Sequence, residues 1–98
     1  MSFKIKVYKN RSFKDKRGYY WTSWKKKQVK NLEFIHDKFS LSKKNVLRGL
    51  HGDKKTWKLI SCPYGKFFLV LVNCNKNSRD YLKCKSYTLS HKNGKQVL

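Results

Sequence analysis

Pro63-Tyr64-Gly65-Lys66-Phe67-Phe68-Leu69-Val70-Leu71-Val72-Asn73 is the stretch on which the fold turns. Pro and Gly flank a tight turn, and the seven residues from Lys66 are rich in aromatic and β-branched side chains, which suit a pleated strand. The run is too short for a buried helix and is bounded by turn residues on both sides. Being almost continuously apolar, it predicts a strand over Lys66–Asn73 covered on both faces or central in a sandwich. Downstream, Asn75–Arg79 is polar enough for a loop and Tyr81–Leu89 predicts a second long strand. His91-Lys92-Asn93-Gly94 then makes a turn into Gln96-Val97-Leu98, an apolar ending that reads like the start of a further strand. A chain ending inside a strand would leave an unpaired edge.

Upstream, the period of two persists. Phe3, Ile5 and Val7 alternate with Lys4, Lys6 and Tyr8, predicting a half-buried strand with the first three facing inward. Asp15–Gly18 reads as a turn and Tyr19–Trp24 as a strand. Lys25–Leu32 is the one short helical candidate, and it has little apolar face. Leu32–Phe39, Val46–His51 and Trp57–Cys62 read as three more strands, with a turn over Ser40–Asn45. Many short strands at this spacing predict a sandwich or barrel: mainly β, with at most one short helix, in a single domain over residues 1–98.

The 98 residues carry 25 Lys and Arg against five acids, a formal net charge of +20. Such a surface attracts polyanions, nucleic acid among them. The charges are spread along the chain, and the densest run is Lys25-Lys26-Lys27. Most therefore read as solvated surface residues rather than a dedicated binding arm. Tyr19, Tyr20, Trp21 and Trp24 would suit a stacking surface for nucleic acid, but ordinary strand packing is the preferred reading. Cys62, Cys74 and Cys84 have no metal-type spacing. Cys62 and Cys74, beside apolar runs, read as small buried hydrophobes. Reduced cysteines, no secretory pattern at the start and no apolar run of membrane-spanning length predict a cytoplasmic protein without membrane contact.

In Val46-Leu47-Arg48-Gly49-Leu50-His51-Gly52-Asp53, alternation puts Arg48 and Leu50 on one face of the expected strand and Leu47, Gly49 and His51 on the other. His is suited to proton transfer near neutral pH, Arg to bidentate phosphate binding, and Lys58 to stabilising an oxyanion. On pattern alone, a His on a strand is more often structural than catalytic.

Taken together, the motifs resemble the dTDP-4-dehydrorhamnose 3,5-epimerase family. Arg48-Gly49-Leu50-His51, with Lys58-Leu59 after it, is similar to the family signature. Phe13-Lys14-Asp15-Lys16-Arg17-Gly18 is similar to its F-x-D-x-R-G. Tyr64-Gly65 with Phe67–Asn73 is similar to its G-x-x-x-x-V-x-V-D strand, and Leu89-Ser90-His91-Lys92-Asn93-Gly94-Lys95-Gln96 to its L-S-x-x-N-x-x-Q turn. Phe34-Ile35-His36-Asp37-Lys38-Phe39 is nearest the subgroup acting on nucleotide-linked 4-keto-heptoses.

The resemblance implies a cupin-type jelly roll, represented by its N-terminal portion, and an epimerisation beside the 4-keto group of a nucleotide-linked sugar. It implies no metal and no cofactor. His51 would be the base and Lys58 would face the keto oxygen. Arg48 would bind phosphate or sugar, and His36, Asp37 and Lys38 would line the substrate site. Arg17 and Tyr20 would contact the nucleotide, in the family from the neighbouring subunit of a dimer. A homodimer, or a complementing C-terminal half, is the implied partner. Thr22 stands where many members have Glu, His36 and Lys38 replace Gln and Asn, and Asn73 replaces an acid. The family's acid Tyr and the Asp that pairs with its catalytic His lie beyond the last residue of this sequence.

Overall fold

The computed structural model describes residues 4–98. Phe3, assigned by alternation to the first strand, lies outside the described residues. The chain forms two compact units. The first comprises residues 1–24 and 58–98, and the second residues 25–57.

All strands belong to the first unit: β1 (Val7–Lys9), β2 (Ser12–Asp15), β3 (Gly18–Trp21), β4 (Ile60–Ser61), β5 (Lys66–Val72), β6 (Cys84–Ser90) and β7 (Lys95–Val97). They make a three-stranded antiparallel sheet in the order β1-β7-β4 and two hairpin-like pairs, β2-β3 and β5-β6. The architecture is mainly β, and among the described residues no closed barrel forms.

The β5-β6 ribbon shows how alternation builds the core. Its register sets Leu69 opposite Tyr87 and Phe67 opposite Leu89. Leu69, Leu71, Tyr87 and Leu89 share one face and pack with Ile5, Ile60, Cys62 and Val97. Leu89 is 0% exposed. The other face carries Phe68 and Val70 beside Ser86 and Thr88, and all four are exposed. The expectation of a strand covered on both faces is therefore corrected. The apolar run buries one face only, because β6 contributes Ser86 and Thr88 to the other and no second layer of the described residues lies on it.

The turns follow from local chemistry. At the β6–β7 turn, Asn93 Oδ1 accepts from the amides of Ser90 and Lys95, while its Nδ2 donates to the Thr88 carbonyl. Gly94 follows with φ +63°, and a Cβ there would sit 2.7 Å from the Asn10 carbonyl oxygen. Only glycine permits that approach, which lets the Asn10 amide donate to the Gly94 carbonyl and joins the turn to β1. Near the start of β5, the Gly65 amide donates to His91 Nδ1, and the His91 ring stacks on Tyr64. Buried Gln96 donates from Nε2 to the Ser23 carbonyl, tying the end of the first segment to β7.

Other expectations shift. In the first strand, Tyr8 turns inward and Val7 is 47% exposed, because Ile5 and Tyr8 do not keep a strict period of two. The strand expected over Tyr81–Leu89 begins at Cys84, since the chain turns through Tyr81 and Leu82, with Leu82 at φ +65°. Trp57–Cys62 contributes only the two residues of β4. Cys62 is buried as expected, but Cys74 is exposed, beyond the end of β5.

The second unit holds a single 3₁₀ turn, Lys26–Val29, inside the helical candidate. Gln28 Oε1 accepts from the Lys25 amide at its start. Leu32–Phe39 and Val46–His51, both expected as strands, form no ladder. Their pattern is strand-like, but a strand requires a hydrogen-bonded neighbour, and no other strand of the described residues pairs with them.

Candidate active-site residues and family membership

The eight residues singled out by sequence divide between the units. Arg17, Tyr20 and Lys58 lie in the first. His36, Asp37, Lys38, Arg48 and His51 lie in the second. All eight side chains are exposed.

Arg17 occupies the two-residue turn between β2 and β3, where Asp15 pairs with Gly18. Asp15 Oδ1 accepts from the Arg17 amide at 2.8 Å, and Oδ2 accepts from Arg17 Nη2 at 2.7 Å and Nε at 3.3 Å. This guanidinium fork, and after it the backbone amide, holds the Asp15 carboxyl below the usual carboxylate range. Gly18, at φ +131°, closes the turn. Asp15, Arg17, Gly18, Tyr19 and Tyr20 line an open hollow of about 250 Å³. Arg17 is thus pre-oriented by Asp15, an arrangement the F-x-D-x-R-G spacing encodes through an Asp two residues before the Arg.

Tyr20 stacks on Phe13 across the hairpin, with ring centroids 5.5 Å apart, and the Arg11 guanidinium lies 5.4 Å from the Phe13 centroid. On the other face Tyr19 stacks on Trp21 at 5.6 Å. These are the contacts of strand packing, between cross-strand and same-face neighbours of the hairpin. Tyr20 is 64% exposed, and Phe13 and Tyr19 are each 48% exposed. They pack against each other rather than into the core.

In the second unit, Arg48 Nε donates to Ser42 Oγ at 2.7 Å and Nη2 to the Leu41 carbonyl at 3.4 Å. These two contacts orient the guanidinium fork and leave its remaining N–H donors for an anion. Just beyond, Asp53 Oδ1 accepts from the amides of Lys55 and Thr56, an Asx-type turn. His51 lies between these two fixed points, after Gly49 at φ +119°. Its Nδ1 is close to the Gly49 backbone, 3.9 Å from where a Cβ would stand. Sequence reasoning missed the Ser42 and Asp53 contacts. Their signals are a hydroxyl six residues before the Arg, and an Asp two residues before an amide pair.

A family model described as dTDP-4-dehydrorhamnose 3,5-epimerase matches residues 4–98. The chain belongs to the dTDP-4-dehydrorhamnose 3,5-epimerase family. The curated dTDP-4-dehydrorhamnose 3,5-epimerase of Salmonella typhimurium is 36% identical over 93 residues, covering 87% of this chain and 51% of the relative. The crystal structure of the epimerase from Elizabethkingia anophelis superposes with a TM-score of 0.76 at 33% identity, over 95% of this chain and 55% of that one. The Bacillus anthracis enzyme, solved with TDP and PPi bound, gives 0.67 at 31% identity, over 96% and 58%. The chain thus spans about half the length of the epimerases it matches. These neighbours carry the fold class, and this chain holds part of the cupin-type epimerase fold. No helix among the described residues is long and apolar enough to cross a membrane.

Proposed function

We propose that this chain provides the base-bearing and nucleotide-contacting part of a 3,5-epimerase acting on a dTDP-linked 4-keto sugar. The observation that carries the reading is the family match across residues 4–98, which includes Arg48-Gly49-Leu50-His51. Its likeness to an epimerase solved with TDP and PPi supports the nucleotide diphosphate as the ligand class.

In this reading the proton beside the 4-keto group is acidified by the carbonyl. His51 accepts it through an imidazole nitrogen, and the electron pair moves into the enolate. The Lys58 ammonium lies beside the developing oxyanion and lowers the barrier by charge stabilisation. Arg48, oriented by Ser42 and Leu41, binds the diphosphate or sugar with its remaining donors. Tyr20 and Arg17 contact the nucleotide, with Arg17 held in place by Asp15. His36, Asp37 and Lys38 line the sugar end, and their departures from the family's Gln-Asp-Asn alter which sugar fits. Return of a proton on the opposite face requires an acid that these eight residues do not supply. A complementing C-terminal half would bring it, whereas a homodimer would supply Arg17 and Tyr20 from the neighbouring subunit.

Solvent-deuterium incorporation into a dTDP-4-keto-6-deoxy sugar tests the base half separately. Exchange that disappears in His51→Ala, with circular dichroism unchanged, is the expected outcome. A folded chain giving no exchange in either form would remove His51 as a working base and leave the chain at most a binder.

A further inference from the structure

The β6–β7 turn contains Asn93-Gly94, the only Asn-Gly pair in the sequence, and such a pair carries its own nucleophile. Once its proton is lost to water, the Gly94 amide nitrogen can attack Asn93 Cγ. A nitrogen–carbon bond forms, the bond from Cγ to Nδ2 breaks, and Nδ2 leaves as ammonia with a proton taken from water. The five-membered succinimide that remains adds water and opens to aspartate or isoaspartate. Only water is consumed. Glycine favours the attack because it has no side chain to crowd the approach and its backbone can reach the required angles.

In the folded turn both reactants are engaged elsewhere. The Gly94 amide donates to the Ser90 carbonyl at 3.2 Å, so its proton is held against an oxygen of the protein. Asn93 Nδ2 donates to the Thr88 carbonyl at 2.9 Å, and Oδ1 accepts from the amides of Ser90 at 3.2 Å and Lys95 at 3.0 Å. The Asn93 amide itself donates to Ser90 Oγ at 3.0 Å. Ser90 and Asn93 thus hold each other reciprocally, and the carboxamide is fixed through both its oxygen and its nitrogen. Swinging Cγ onto the Gly94 nitrogen would break these contacts together. The two amides on Oδ1 polarise the carbonyl, which alone would assist attack, but polarisation gains nothing while the nucleophile is held out of line.

We infer that Asn93-Gly94 is a self-modifying site gated by the fold, closed while the β6–β7 turn is formed and open whenever the turn comes apart. The product cannot rebuild what it replaces. An aspartate in place of Asn93 sets a carboxylate oxygen against the Thr88 carbonyl where Nδ2 now donates, so two acceptors face each other. An isoaspartate also threads an extra methylene through the main chain, and the chain has no slack here. The Asn10 amide donates to the Gly94 carbonyl at 2.7 Å, and a Cβ on Gly94 would already lie 2.7 Å from the Asn10 carbonyl oxygen. Just beyond the turn, β7 buries Gln96 and Val97. Conversion at Asn93 therefore loosens β1 from β7 and reaches the core, which makes each opening of the turn a step toward permanent loss of the fold. The inference uses no residue of the epimerase reading and does not depend on turnover.

The test follows the peptide containing Asn93 by mass spectrometry while the full chain is incubated at one mildly alkaline pH, in buffer and in urea above its unfolding midpoint. Conversion to aspartate and isoaspartate in urea is expected to outpace that in buffer by at least about tenfold, because the native rate is scaled by the fraction of time the turn is open. Ser90→Ala, which removes the hydroxyl that holds the Asn93 amide, is expected to raise the rate in buffer and leave the rate in urea as it is. Asn93→Asp, standing in for the product, is expected to unfold at lower urea than the parent. Equal rates in buffer and urea would overturn the gate. An Asn93→Asp chain with the parent's urea midpoint would overturn the claim that the product cannot rebuild the turn.

Discussion

Two stretches of this chain have much the same sequence texture and different structures. Residues 66–72 are apolar and β-branched and form β5, hydrogen-bonded to β6 along its whole length. Residues 46–51, with Val, Leu and Leu around Arg48, have a comparable strand pattern and form no ladder at all. The difference lies in what each finds nearby. β5 has a partner close behind it in the chain. The connection is closed by Asn73, whose amide donates to the Lys83 carbonyl and whose Oδ1 accepts from the Asn75 amide. Residues 46–51 have no strand to pair with in their own unit. Instead, side chains hold their flanks: Arg48 on Ser42, and Asp53 on the amides of Lys55 and Thr56. A strand-like pattern encodes a preference, and the partner decides whether it is realised.

The same substitution in each region should therefore have very different consequences. Leu89→Ala removes a fully buried side chain from the cluster that unites β5, β6 and β7. Urea unfolding should show a loss of about 2–5 kcal/mol. Leu47→Ala, at 91% exposure, should change stability by no more than about 0.5 kcal/mol. A comparable loss at Leu47 would mean that the second unit buries this side chain in solution, and the contrast between the two stretches would collapse.

Glycines sharpen the contrast at a smaller scale. Gly94→Ala forces a Cβ against the Asn10 carbonyl at a backbone angle that disfavours it. It should cost about 1–3 kcal/mol and loosen β1 from β7. Gly52→Ala meets nothing within 4 Å and needs no left-handed backbone, so it should be silent in the same unfolding experiment. Amide hydrogen exchange gives a third view. Central amides of β5 and β6 should be protected to nearly the global unfolding free energy, while those of residues 46–51, lacking a ladder, should exchange close to unfolded-chain rates.

Much of this arrangement is legible in the sequence, for reasons that are local. The turn at Asn93-Gly94, the single short helical candidate and the strand at Phe67–Val72 each follow from residue chemistry within a few positions. The Arg-Gly-Leu-His signature and the F-x-D-x-R-G turn carry the family resemblance in short runs of adjacent residues. What sequence reasoning does not supply depends on distant partners. Whether Val46–His51 becomes a strand, which face of β5 is covered, and whether Tyr20 packs inward are set by chain segments far away in sequence. The exposure of Cys74 is a similar case, because it follows an apolar run while its position falls past the last paired residue of β5. The roles of Ser42 and Asp53 in holding the flanks of His51 are hidden for the opposite reason: short-range side-chain contacts leave no hydrophobic period to read.

The smallest expected effect concerns Asp15 and Arg17. The β2-β3 turn depends on a charged Asp15, whose carboxyl is held below its ordinary value by the Arg17 fork and amide. A depressed acid in the folded hairpin contributes stability that is fully present above the unfolded-state value. That contribution is lost as the pH falls through the folded one. The loss should therefore begin as the pH falls into the usual carboxylate range, be complete only below the folded value, and leave neutral pH untouched. Because the pair is exposed to water, the effect on global unfolding should be slight. The sensitive probe is the Arg17 amide proton, followed by NMR through an acid titration. Its shift should track the Asp15 carboxyl with a midpoint below that of an unperturbed Asp, and in Asp15→Asn the titration should vanish. An Arg17 amide that titrated at the ordinary Asp value would mean that the fork is open in solution. Arg17 would then lack the pre-orientation that distinguishes this turn from the ladder-free stretch around His51.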